Sequence, residues 1–105
     1  MRLDDKVAIV TGASSDIGKG ISKRFAEEGA KVILVARNLE RLEKTRKEIG
    51  NEEATASITC DLTDESQVLQ TVNQIMDTYG KIDILVNSAG AINDPVHFHK
   101  MQDSE

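Results

Sequence analysis

The chain has 105 residues, 39% of them hydrophobic and 30% charged, with a formal net charge of −5. That suffices for one small α/β domain, and it is too acidic for a surface that neutralises nucleic-acid phosphates or docks on an anionic membrane. Aromatics make up only 3%, so any core must come from Ile, Val, Leu and Ala, and no apolar run approaches the roughly 20 residues of a membrane span.

"MRLDDKVAIVTG" is an apolar run broken by Asp4, Asp5 and Lys6, which argues against a secretory signal. The single cysteine, Cys60, has no partner for an internal disulfide, so a cytoplasmic protein is expected. "KVAIVT" (Lys6–Thr11) reads as a buried strand. From Asp16 onward Ile17, Ile21 and Phe25 recur every four residues, predicting an amphipathic helix that Gly29 stops. "KVILVA" (Lys31–Ala36) is a second buried strand. Asn38 then caps a second helix, faced by Leu39, Leu42 and Ile49 and ended by Gly50.

"ATASITC" (Ala54–Cys60) is a weaker third strand, with Cys60 as one of its buried residues. Thr63, followed by Ser66 where a Glu would complete the pair, offers a partial capping box for a third helix. Val68, Val72, Ile75, Met76 and Tyr79 mark the apolar face of that helix, and Gly80 closes it. "KIDILVN" (Lys81–Asn87) is the fourth strand, and the remaining tail shows no secure element. The order β-α-β-α-β-α-β implies right-handed crossovers and a parallel sheet in a single unit.

"TGASSDIG" (Thr11–Gly18) joins the first strand to the first helix. A helix start carries unpaired N–H groups and partial positive charge, which suit an anion. Gly12 can make the sharp exit from the strand, and Gly18 can let the helix pack closely. Taken alone, the stretch fits a nucleotide site and a purely structural tight turn equally well.

Three segments together go further. "TGASSDIG" resembles T-G-x-x-x-G-x-G, the cofactor motif of the short-chain dehydrogenase/reductase family, with Asp16 replacing the middle glycine. "NSAG" (Asn87–Gly90) resembles that family's N-N-A-G motif, with Ser88 for the second Asn, and "CDLTD" (Cys60–Asp64) resembles its segment after the third strand. The resemblance covers essentially the whole chain. It implies an incomplete Rossmann-type doubly wound sheet with strand order 3-2-1-4, the cofactor lying across the carboxyl ends of the strands. It implies cofactor contacts from Gly12, Ser14, Ser15, Asp16, Ile17, Gly18, Arg37, Asn38, Asp61, Leu62, Asn87, Ala89 and Gly90, with Asp61 meeting the adenine amino group.

Asp16 suits the helix start as a solvated cap, yet a carboxylate beside a diphosphate is repulsive, by roughly 4 kcal/mol at about 4 Å and an effective dielectric near 20. The expectation is a site that works with weakened affinity. The cofactor is expected to be NADP rather than NAD. The second strand ends "LVARN", with no acid to bond ribose hydroxyls; Arg37 can instead grip a 2′-phosphate, and the resemblance implies NADP preference from a basic residue here, with Ser14 as helper.

In the resembling family, proton transfer falls to a Tyr of Y-x-x-x-K with a Lys, a Ser and an Asn. The one tyrosine, Tyr79, has Asp83 four residues on and lies on an apolar helix face, so no catalytic residue is expected in this chain. His97 and His99 lack a supporting carboxylate or cysteine cluster, so no metal site is expected. The expectation is the N-terminal half of an NADP-dependent oxidoreductase acting on a small alcohol or carbonyl compound, homo-oligomeric when whole, with the catalytic half beyond Glu105. A non-catalytic nucleotide-binding or regulatory module is the alternative. The apolar fourth strand, "IDILVN", would be an uncovered edge in such a module, and this favours the enzyme reading.

Overall fold

A computed structural model describes residues 2–88. Its strands β1 (Val7–Thr11), β2 (Lys31–Ala36), β3 (Thr55–Thr59) and β4 (Ile84–Asn87) are all parallel and lie in the order β3-β2-β1-β4. Helices α1 (Asp16–Glu27), α2 (Leu39–Ile49) and α3 (Glu65–Tyr79) connect them, and a short 3-10 turn, Glu52–Ala54, leads into β3. The expected α/β sheet and its 3-2-1-4 order are therefore present. The tail residues from Ala89 on, including Gly90, His97 and His99, lie outside the described residues.

Alternation along the strands divides the core into two layers. Val32 and Leu34 of β2 join Val10, Ala26, Leu42 and Ile49 on the side covered by α1 and α2. Ile33 and Val35 join Val7, Ile9, Cys60, Leu62, Val68 and Ile75 on the side covered by α3. A strand buried on both faces has to be apolar at every position, which is why β2 reads as an unbroken apolar run. Edge positions are less demanding: β4 is half-buried, and among the described residues it pairs with β1 alone.

Helix registers depart from the hydropathy pattern. In α1 the buried residues are Gly18, Ser22 and Ala26, while Ile17 is 71% exposed and Ile21 and Phe25 are half-buried flanks. Small side chains every four residues let the helix sit close to the sheet, and the buried Ser22 hydroxyl is satisfied by the Gly18 carbonyl at 2.8 Å. In α3 the buried face is Val68, Thr71 and Ile75, with Val72, Met76 and Tyr79 half-buried beside it.

Helix α2 starts and stops as expected: Asn38 caps it and Gly50 ends it at φ 83°. Helix α3 is capped by Asp64, not Thr63. The Asp64 carboxylate accepts the N–H groups of Ser66 at 3.0 Å and Gln67 at 3.3 Å, and the Gln67 amide donates back to it at 3.2 Å. A carboxylate with two acceptor oxygens serves more orphan donors than a threonine hydroxyl can. The fourth strand begins at Ile84 rather than Lys81, because at Asp83 a side chain takes over the bond to the Val7 N–H.

Candidate nucleotide site at the strand tips

The order 3-2-1-4 reverses the winding direction between β1 and β4, opening a crevice at their carboxyl ends. The turn Gly12–Ser15 sits there. Gly12 adopts φ 64°, a left-handed conformation that only glycine enters without strain. Gly18 is required for a different reason: a Cβ on it would stand 2.4 Å from the Gly12 carbonyl oxygen and 2.8 Å from the Ala13 Cα. Both glycines that the sequence singled out are thus fixed by geometry.

Ser15, not Asp16, is the N-cap of α1. Its hydroxyl accepts the Gly18 N–H at 3.0 Å and donates to the Gly12 carbonyl at 2.8 Å. Asp16 is the first helical residue, with an exposed side chain. Its φ is negative, so the backbone does not demand glycine there, and any such demand would come from a ligand. The N–H groups of Asp16 and Ile17 meet no acceptor among the described residues. They are orphan donors of a helix start, open to an anion. Ser14 is half-buried beside them.

Neighbouring strand tips complete the rim. The Thr11 hydroxyl lies 3.0 Å from the Asn87 side-chain oxygen and 3.2 Å from the Val86 carbonyl. Arg37 follows β2 and is exposed; Asn38 beside it spends its side-chain oxygen on the Arg41 N–H at 3.0 Å. Asp61 follows β3. Its carboxylate accepts the Thr63 hydroxyl at 2.6 Å and the Thr63 N–H at 3.0 Å. These bonds hold its pKa below the ordinary carboxylate value, and the positive charge of Arg37 adds to the effect. Arg37 and Asp61 therefore sit within electrostatic reach at adjacent strand ends. Leu62 is only 8% exposed and packs into the α3-side core, so its side chain is not available at the rim.

Thr63 is the residue whose role at the site sequence reading missed. The signal is Asp61 followed two positions later by a hydroxyl residue, a local turn that orients the carboxylate. Cys60, buried behind Asp61, has its thiol pKa pushed up chiefly by burial and is a core residue. No group of three or more metal-binding side chains occurs among the described residues, and no described helix is long and apolar enough to cross a membrane.

A parallel sheet that reverses at β1, with a glycine turn and open helix N–H groups at the reversal, defines a dinucleotide-binding α/β fold. The chain belongs to the short chain dehydrogenase family, which residues 6–105 match, and so carries an NAD(P)-binding fold of an oxidoreductase family. It is 46% identical over 104 residues to a fatty acyl-CoA reductase of Acinetobacter baylyi, covering 95% of this chain and 35% of that protein. It resembles the structure of a metagenomic short-chain oxidoreductase in complex with NADP, with TM-score 0.76 and 32% identity over 81% of this chain and 39% of that one. It also resembles an NAD+-bound xylitol dehydrogenase, with TM-score 0.75 and 38% identity over 81% of this chain and 33% of that one. The chain spans about a third of the length of the relatives it matches.

Proposed function

We propose that this chain forms the NADP-holding part of an oxidoreductase that moves hydride between the cofactor and a carbonyl or alcohol carbon of a small molecule. The whole protein would work in the cytoplasm as a homo-oligomer. One observation carries the reading: an open-donor glycine turn, a cation and a carboxylate converge on neighbouring strand tips.

The roles follow from chemistry. The N–H groups of Asp16 and Ile17 face the diphosphate, and the close Gly12–Gly18 approach packs the turn tightly against the start of the helix that carries them. Arg37 grips the 2′-phosphate, helped by the Ser14 hydroxyl, and Asn38 borders it. Asp61, held ionised by Thr63, accepts from the adenine amino group, with the Leu62 backbone beside it. Asn87 flanks the nicotinamide end. The cofactor supplies the hydride. Proton transfer falls to residues that this chain does not contain.

Relatives are bound to NADP in one solved structure and to NAD+ in another, so the choice of NADP rests on Arg37. The reductase and dehydrogenase names of the relatives support carbonyl–alcohol chemistry. A binding titration on the full-length protein tests the reading. NADPH is expected to bind more tightly than NADH, and equal affinities overturn the NADP assignment.

A further inference from the structure

We infer that Gln67 is a positioning residue for Asp61: its side-chain amide ties the Asp61–Asp64 turn to the first turn of α3 and so fixes where the Asp61 carboxylate stands at the tip of β3. The inference rests on the reading of Asp61 as the adenine contact.

The need for a tie comes from the sheet. Cys60 donates its N–H to the Ala36 carbonyl at 3.0 Å, one step beyond the end of β3. Among the described residues β3 is an outer strand of the sheet, so the next N–H, that of Asp61, has no strand to meet. Gln67 supplies the acceptor: its side-chain oxygen takes the Asp61 N–H at 2.9 Å. Its side-chain nitrogen donates to the Asp64 carboxylate at 3.2 Å, and the Asp64 N–H donates to the Asp61 carbonyl at 3.0 Å. The three residues close a ring of bonds around the turn. The buried Leu62 side chain pins the same turn from the core side.

An amide suits this place in one orientation. An acceptor has to face the Asp61 N–H and a donor has to face the Asp64 carboxylate, so the Gln67 oxygen and nitrogen cannot exchange. A glutamate would set a second carboxylate against Asp64, and an apolar chain would leave the Asp61 N–H to water. Thr63 occupies one oxygen of Asp61, Oδ1, with its hydroxyl at 2.6 Å and its N–H at 3.0 Å. The other oxygen, Oδ2, meets no donor among the described residues and is left for a ligand. Thr63 thus sets the rotation of the carboxylate, and Gln67 sets the position of the backbone that carries it. Gln67 itself is exposed, so its bonds serve the turn rather than the core.

The test uses the full-length protein and two cofactors: NADPH, and its hypoxanthine analogue, in which a carbonyl oxygen replaces the adenine amino group. The parent should bind NADPH about tenfold more tightly, because a carboxylate that meets an oxygen in place of a donor is left unpaired. Gln67→Met keeps chain length and helix propensity but neither bond, and should reduce that ratio to about threefold or less. Gln67→Glu keeps an acceptor for Asp61 but opposes Asp64, and should give a ratio between the two. Thermal unfolding midpoints should stay close to that of the parent. A Gln67→Met ratio equal to the parent's, whatever the absolute affinities or the midpoint, overturns the inference in favour of no role or a general structural one. Equal binding of the two cofactors by the parent, or none, overturns the reading of Asp61 itself and the inference with it.

Discussion

Asp83 and Val7 exchange two hydrogen bonds: the Val7 N–H donates to the Asp83 carboxylate at 2.8 Å, and the Asp83 N–H donates to the Val7 carbonyl at 2.8 Å. Lys81 adds an ion pair to the same carboxylate oxygen at 3.3 Å. The pair fastens the entrance of β4 to that of β1, at the end of the sheet opposite the candidate site.

Acid should therefore loosen the fourth strand. The Val7 N–H, with Lys81 adding, holds the Asp83 carboxyl below its ordinary value of 3.8, and Thr63 does the same for Asp61. A carboxylate with a depressed folded-state pKa contributes stability that is complete above the unfolded value and is lost as pH falls through the folded value. The midpoint of thermal unfolding should thus not vary with pH through these groups near neutrality, where their contribution is complete, and should fall below about pH 4. Asp83→Asn should lower the midpoint at neutral pH and flatten the acid limb. An unchanged acid limb in this variant would locate the sensitivity elsewhere.

Two glycines only two positions apart should respond oppositely to alanine. At Gly18 the new methyl meets backbone atoms that cannot swing away, so Gly18→Ala should cost about 1–3 kcal/mol, as overpacking does, and weaken cofactor binding. At Gly20 nothing lies within 4 Å and the residue is helical, so Gly20→Ala should gain about 0.5–1 kcal/mol. Urea unfolding of the two variants gives both signs directly.

Asp16 should act through charge alone. Its backbone is already helical, so removing the carboxylate relieves no strain. Asp16→Asn and Asp16→Gly should both tighten NADPH binding, by about threefold to tenfold at low salt and by less at high salt, because an exposed charge is screened. Equal affinities in parent and variants at low ionic strength would show that the carboxylate does not repel the cofactor.

Arg37→Ala should narrow the preference between NADPH and NADH. A charge-assisted bond to the 2′-phosphate is worth about 1.5–3 kcal/mol, so NADPH should weaken by roughly tenfold to a hundredfold while NADH changes little. A proportional loss for both cofactors would make Arg37 a general binding residue rather than a selector.

Element types were legible because β1 and β2 carry unbroken apolar runs and because Asn38, Gly50 and Gly80 punctuate the helices with their own conformational preferences, whereas the strand order was legible only through the family resemblance of the three motifs. The buried face of α1 was not. Hydropathy points to Ile17, but close packing on the sheet selects Gly18, Ser22 and Ala26 for their size. The cap of α3 was misread because Thr63 and Asp64 are both good caps, and only the backbone path shows which one turns into the helix. At the site, Gly12 and Gly18 announce themselves locally. Ser88 stands in the local motif "NSAG", but its contacts join positions far apart in the chain, so the motif does not show what its hydroxyl meets.

That separation in sequence has a consequence for how the site comes into being. The shape of the turn, from Gly12 to Gly18, can form as soon as the first strand and helix meet. Its anchorage through Thr11–Asn87 and Ser88–Gly12 closes a loop of more than 70 residues. Closing such a loop is slow relative to local ordering. A competent dinucleotide pocket therefore arrives with the docking of β4, so gain of ligand affinity during refolding reports completion of the sheet, not formation of its helices.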